Sequence, residues 1–165
     1  CTSLTQAPEL PATTLSIYCY SGMFRRCTSL TQAPELPATT LAKACYFYMF
    51  YGCTSLMQAP KLPATTLAQN CYYAMFRDCT SLMQAPDLPA AILAQRCYYA
   101  MFNGCTEIKL SEMQIGEYQT PYGIPTSGTG TTATDSLRDM FTGTGGTFTG
   151  TPSINTTYYT ANEVV

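Results

Sequence analysis

The sequence predicts an α/β solenoid, in which short parallel strands line one side of a stack and short helices line the other. Two observations predict it. A unit of 26 residues recurs in register, and each unit joins a short proline-bounded stretch to an apolar stretch with helical spacing. A fixed period of this size is typical of proteins that stack identical units against one another. We therefore expect one continuous core that all the units share.

Cysteines mark the start of each repeat. They are 26 residues apart, at Cys1, Cys27, Cys53, Cys79 and Cys105. Four full repeats occupy residues 1–104, and a degenerate repeat with a C-terminal cap is predicted for residues 105–165. Within the four repeats, 15 of the 26 positions hold a single residue type, mostly apolar or turn-forming, as a shared core requires. The chain begins inside this pattern, which indicates a fragment of a longer protein.

The first half of each repeat predicts a short strand. In the second repeat, Pro34 and Pro37 limit the extended run to about four or five residues. Proline has no N–H to donate, so strand pairing is expected to stop at the position of Pro34 in every repeat.

The second half of each repeat predicts a helix. Leu41, Cys45 and Met49 are four residues apart and form an apolar face. Gly52 and Gly104 are placed where a left-handed residue would end such a helix. Because packed helices need more space than paired strands, the stack is expected to bend, with the strands on its concave side.

The pattern MFxxCTSLxxAPxLPATTLAxxCYxxMF over residues 1–104 resembles the 26-residue repeat of BspA-like leucine-rich-repeat bacterial surface proteins. The resemblance implies a right-handed leucine-rich-repeat solenoid with helices on the convex side. It also implies a bacterial cell-surface or secreted location and a role in adhesion. The partner would be a protein ligand, for example one from a host or its extracellular matrix.

The repeat pattern decays after Cys105. A Gly/Thr/Pro/Ser-rich stretch from Tyr118 to Thr134 predicts a loop. A last short helix is predicted over Leu137, Met140 and Phe141, followed by β-type residues from Thr147 to Val165. We interpret this tail as a closing cap that protects the open end of the sheet. The glycines of GTGGTFTG lack the spacing of a phosphate-binding loop and indicate a flexible turn.

Several functional classes find no support in the composition. The chain has no histidine and no CxxC spacing, so we predict no enzyme, no metal site and no cofactor. The net charge is -2 without a basic run, which argues against nucleic acid as a partner. No apolar stretch reaches the roughly 20 residues that a membrane span needs, so membrane insertion is not expected. The nine cysteines could pair along the stack, but we favour buried free thiols.

Candidate binding residues fall on three columns of equivalent positions. The first is an amide column that could either form a structural ladder or contact a ligand: Gln6, Gln32, Gln58 and Gln84. The second is a charged column beside the strand: Glu9, Glu35, Lys61 and Asp87. The third is a set of outward tyrosines that suit an interface: Tyr48, Tyr51, Tyr73 and Tyr99.

These columns leave three functions open. We predict a non-enzymatic module for protein binding and adhesion; a carbohydrate-binding module that uses the exposed tyrosines, or a passive spacer, is the alternative. The separation of Glu9 and Glu35 by one repeat would suit a glycosidase pair, but a smooth repeat face offers no pocket to position a sugar.

Overall fold

The structure is a computed structural model that describes residues 1–122, 124, 135–154 and 156–161. It contains three short strands: β1 (Leu110–Ser111), β2 (Tyr118–Tyr122) and β3 (Tyr158–Ala161). They form one antiparallel sheet in the order β1-β3-β2.

The predicted leucine-rich-repeat solenoid of the α/β class is wrong. The described residues contain no helix, and the three strands all lie in the tail and run antiparallel. The residues predicted to be helical form runs of consecutive β-turns instead. We call these runs turn segments; they cover residues 17–26, 43–52, 69–78, 95–104 and 135–143.

Backbone angles explain why no helix forms. In the second turn segment φ is positive at Ala44, Tyr48 and Gly52, with values of 52°, 54° and 71°. A right-handed helix needs negative φ at every residue, so a left-handed residue at every fourth position excludes it. The spacing of four between Leu41, Cys45 and Met49 is therefore the period of the turns.

Hydrogen bonds within and between turn segments alternate along the chain. The N–H of Cys45 donates to the carbonyl of Ala42 at 3.3 Å, which closes a local turn. The next N–H, of Tyr46, donates to the carbonyl of Cys71 in the following repeat at 3.0 Å. Half of the donors thus join neighbouring repeats, so the turn segments depend on stacking for their hydrogen bonds.

Equivalent side chains stack in columns through the core. One column has ring centroids 5.4 to 5.8 Å apart and consists of Phe24, Phe50, Phe76, Phe102 and Phe141. A parallel column has centroids 5.7 to 5.9 Å apart and consists of Tyr20, Tyr46, Tyr72 and Tyr98. Burying each large apolar side chain contributes about 1.5 to 3 kcal/mol, so the phenylalanine column is a principal source of stability.

All nine cysteines are free, and seven of them are buried. Burial of seven thiols agrees with the favoured alternative, whereas Cys1 and Cys19 are exposed. The thiols of Cys53, Cys79 and Cys105 donate to the carbonyls of Phe24, Phe50 and Phe76 respectively, at 3.0 to 3.1 Å. Each of these cysteines directly follows one turn segment, and its hydrogen bond joins that segment to the preceding turn segment.

The first half of each repeat is extended but scarcely paired. Parallel bridges join Gln6 to Gln32, Gln32 to Gln58 and Thr40 to Thr66, and no strand forms there. The expected run of four or five paired residues is therefore wrong as well. The recurring prolines account for this, because they remove a donor from the ladder in each repeat.

The tail continues the stack with a fifth turn segment. Its φ values are positive at Asp135, Asp139 and Gly143, as at the equivalent positions of earlier repeats. The last short helix, predicted over Leu137, Met140 and Phe141, is therefore wrong.

The tail strands contradict one of the two other predictions for the tail and agree with the second. The predicted loop from Tyr118 to Thr134 begins with β2, and residues 123 and 125–134 lie outside the described residues. The β-type region predicted from Thr147 contains β3, and residues 155 and 162–165 lie outside the described residues.

Glycine is required at Gly146 by close backbone approach rather than by flexibility. A Cβ at this position would collide with the backbone N and O atoms of Leu110. Neighbouring hydrogen bonds fix the approach, since Gly145 donates to the carbonyl of Ile108 and Phe148 to that of Leu110, both at 2.9 Å.

Gly146→Ala is expected to lower the free energy of unfolding by about 3 kcal/mol, because backbone atoms cannot rotate away from the added methyl group. Urea denaturation measures the change. Thr157→Ala, at an exposed position of the same tail, is the control and should change stability by less than about 0.5 kcal/mol. Equal stabilities for the two variants would contradict the close packing of the tail.

Candidate functional site

Three cavities lie along the extended halves of the repeats. The first, of about 310 Å³, lies between repeats one and two and is lined by Gln6, Glu9, Gln32 and Glu35 among others. We call the surface that carries the three cavities the Gln face; it is formed by the four repeated Gln-Ala-Pro segments at residues 6–8, 32–34, 58–60 and 84–86.

The other two cavities continue the row toward the tail. A cavity of about 180 Å³ is lined by Met57, Gln58, Met83 and Gln84. A cavity of about 290 Å³ combines Gln84 and Asp87 with β2 and β3 of the tail sheet. Gln84 contributes to both, so these two cavities adjoin.

The Gln face is shaped by alternation along each extended segment. In the second repeat Pro34 and Leu36 are buried, whereas Glu35 and Pro37 between them are exposed. Successive side chains of an extended chain point to opposite sides, so every second residue anchors the segment to the core. The remaining residues are presented to solvent, and this places Glu35 on the wall of the first cavity.

The four predicted glutamines are all exposed. Among the described residues, the side-chain amides of these four glutamines do not hydrogen-bond to one another, so the structural ladder considered above does not form. Such an amide contact does occur elsewhere, where Gln69 donates to Gln95 at 2.8 Å. The amides of the Gln face are therefore available to a ligand.

The charged column lies beside the glutamines. Glu9, Glu35, Lys61 and Asp87 are all exposed. Glu9 and Glu35 line the first cavity and Asp87 lines the last, whereas Lys61 lines none of the three. The ion pairs among the described residues involve none of the three carboxylates. The cavities at both ends of the row thus carry unpaired negative charge.

The predicted tyrosines form a separate cluster on the outer side of the turn segments. We call Phe47, Tyr48, Tyr51, Tyr73 and Tyr99 the aromatic cluster. Tyr73 is stacked between Phe47 at 4.9 Å and Tyr99 at 4.7 Å, so both of its faces are covered. Burial, followed by the neighbouring Tyr48 and Tyr99, raises the pKa of Tyr73.

Arginines cover further rings of this cluster. Arg25 lies 5.5 Å from the centre of Tyr48 and 5.1 Å from that of Tyr51, and Arg138 lies 5.9 Å from that of Tyr99. All four predicted tyrosines are half-buried. These contacts stabilise the outer surface and leave little free ring face for a sugar to stack on.

Two groups of residues in the cavities were missed by sequence reasoning. Met57 and Met83 are 48% and 55% exposed and line the middle cavity. The replacement of Thr5 and Thr31 by methionine at the same repeat position was the available signal.

The second missed group comes from the tail sheet. Tyr122 of β2 lines the last cavity, and its hydroxyl donates to the carbonyl of Pro86 at 3.1 Å. Burial and then the nearby Asp87 raise the pKa of Tyr122 well above its usual range. No local pattern could reveal this contact, because the two residues are far apart in sequence.

Within the described residues no cluster of Cys, Asp or Glu could hold a metal ion, and no helix long and apolar enough to cross a membrane is found. Comparisons with protein-family models, with curated proteins and with solved structures give no match to this chain.

Proposed function

We propose that this protein is a non-enzymatic binding module that holds an extended, positively charged segment of a partner protein along the Gln face. The observation that carries the proposal is the presence of three cavities along the extended halves of the chain, which lie between repeats one and two, between repeats three and four, and between repeat four and the tail sheet. Several cavities along one face suit a ligand that is itself a chain, because each cavity can contact another part of it.

Charge favours a cationic ligand. The carboxylates of Glu9 and Glu35 lie on the first cavity and that of Asp87 on the last, and none of them forms an ion pair with another described residue. Lysine or arginine side chains of a partner can pair with these carboxylates, which steers association and fixes the register. Free glutamine amides supply both donors and acceptors for the ligand backbone.

The methionines of the middle cavity add an adaptable apolar contact. Met57 and Met83 are unbranched and exposed, and such side chains adjust to ligands of different shape. This composition supports a module that binds a class of related segments, as adhesion to a protein surface requires. Carbohydrate binding through tyrosine is less well supported, because the rings of the aromatic cluster contact one another.

The free thiols are compatible with the proposed location at a bacterial surface or outside the cell. Burial raises the pKa of Cys45 and Cys53 to about 12, which keeps these thiols protonated and unreactive. The core can therefore remain unoxidised without a reducing compartment.

Selection from a displayed library of random peptides tests the proposal. We expect the protein to enrich basic peptides that bind Glu9→Lys/Glu35→Lys at least about tenfold more weakly than the unmodified chain, because the charge on the first cavity is reversed. Titration calorimetry with the enriched peptides measures the change.

A matched control makes the same charge change elsewhere. Glu107→Lys/Glu112→Lys alters two exposed carboxylates outside the three cavities and should bind the peptides as the unmodified chain does. If no peptide is enriched, or if both double variants weaken binding equally, the proposed role of the Gln face is wrong and a passive spacer becomes the better explanation.

A further inference from the structure

Three charges of alternating sign lie in one column beside the glutamines of the Gln face. Glu35, Lys61 and Asp87 occupy the same position of the second, third and fourth repeats, and all three are exposed. Lys61 lies between the buried residues Pro60 and Leu62, in the same way as Glu35 lies between buried neighbours. Because successive side chains of an extended chain point to opposite sides, this anchoring directs the charged side chains to solvent.

The stack sets the spacing of these charges. Phe50 and Phe76 also occupy one position of successive repeats, and their ring centroids are 5.4 Å apart. Extended segments that pair side by side have a similar spacing of about 5 Å, so this is the distance between neighbouring backbone positions of the charged column. Glu35 and Asp87 are two repeats apart, which corresponds to about 10 Å.

The charges of the column do not neutralise one another. Lys61 has a carboxylate on the repeat before it and another on the repeat after it. The ion pairs among the described residues nevertheless include neither Lys61 nor Glu35 nor Asp87. Lys61 also lines none of the three cavities. A ligand side chain opposite Lys61 therefore meets an exposed ammonium group between two carboxylates.

We infer that Lys61 determines the register and the charge order of the segment that binds along the Gln face. An acidic residue of the segment lies opposite Lys61, between two basic residues that lie opposite Glu35 and Asp87. This inference rests on the proposed function and names the class of ligand more closely. A uniformly basic segment would place like charges together at Lys61, which opposes binding in that register.

An extended segment meets this order with every second residue. Side chains at positions i, i+2 and i+4 share one side of an extended chain, and the first and last of them are about 13 Å apart. The carboxylates that they face are about 10 Å apart at the backbone, and the flexible four-carbon stem of lysine covers the difference. The ligand pattern is therefore basic-x-acidic-x-basic, where x is any residue.

A displayed library of fixed pattern tests this inference. Every peptide contains Lys-x-Z-x-Lys, in which x is random and Z is glutamate, glutamine or lysine. We expect the unmodified chain to enrich glutamate over lysine at Z at least about fivefold, because an attractive pair replaces a repulsive one. Lys61→Glu should reverse this preference by a similar factor. Sequencing of the library before and after selection measures both ratios.

Lys109→Glu is the matched control. Lys109 is exposed and lies outside the three cavities, so the same charge reversal there should keep the preference for glutamate at Z. If none of the three chains enriches any peptide, the proposed function fails and this inference fails with it. If peptides are enriched without a preference at Z, or if both variants reverse that preference equally, the Gln face binds basic segments but Lys61 does not set their register, and this inference alone is refuted.

Discussion

Raising the pH above about 9 is expected to unfold this protein. Burial raises the pKa of Cys45, Cys53, Cys97 and Cys105 from 9.0 to about 12. Burial also raises the pKa of Cys71 and Cys79 well above that ordinary value. Six thiols are thus held protonated by the fold at pH values where the unfolded chain loses their protons.

The sign of the effect follows from proton linkage. A group whose pKa is raised in the folded state stabilises the fold fully below its unfolded pKa and loses that contribution as the pH rises through the folded pKa. The window here runs from about pH 9 to about pH 12. In this window each thiol lowers the free energy of unfolding by about 1.4 kcal/mol for every pH unit. Six such thiols together lower it by several kcal/mol by about pH 10. That loss is comparable with the 5 to 15 kcal/mol that stabilises a typical domain.

Urea denaturation at a series of pH values measures this loss. The free energy of unfolding should be nearly constant from about pH 7 to 8 and fall steeply beyond about pH 9. Cys97→Ala should reduce the slope, because one of the six thiols is removed, whereas Thr157→Ala, which removes no thiol, should leave it unchanged. A stability that is flat to about pH 10 would show that the thiols are not buried as described.

Phe76→Ala is expected to lower the free energy of unfolding by about 3 to 5 kcal/mol, because it removes a fully buried ring and leaves a cavity in the core. The ring of Phe76 is stacked between Phe50 at 5.4 Å and Phe102 at 5.8 Å. Its loss interrupts the aromatic column in the middle of the stack.

Thermal and urea denaturation check this prediction, with Met83→Ala as the control. Met83 is 55% exposed, and its truncation should change stability by less than about 0.5 kcal/mol. Phe76→Leu keeps most of the buried volume and should lie between the two. If Phe76→Ala is no more destabilising than Met83→Ala, the aromatic column does not form the core.

The sequence predicts the repeat and its inward positions better than the backbone between them. Leu41, Cys45 and Met49 are buried, as their apolar spacing predicts. The same spacing led to the wrong prediction of a helix, because runs of turns with one left-handed residue in four also place every fourth side chain on one side. The alanines at positions 44, 74 and 100 made a helix and a run of turns hard to distinguish from the sequence, because alanine favours helices but here adopts positive φ.

The candidate site could be predicted only in part, for a similar reason. Equivalent positions of stacked repeats become neighbours, so the columns of Gln6 and Glu9 could be recognised from the repeat alone. The contribution of Tyr122 depends on how the tail returns to the fourth repeat, which no local pattern encodes. Both ring faces of Tyr73 are covered by residues of neighbouring repeats. The residue type alone therefore could not predict how much of this ring is exposed.

Far-UV circular dichroism tests the turn-segment architecture most directly. Helices in the second half of every repeat would give the paired minima of α-helical proteins, whereas runs of turns that alternate local and inter-repeat hydrogen bonds do not. We predict a spectrum without those minima that changes cooperatively on heating. A native spectrum dominated by α-helix would contradict the account.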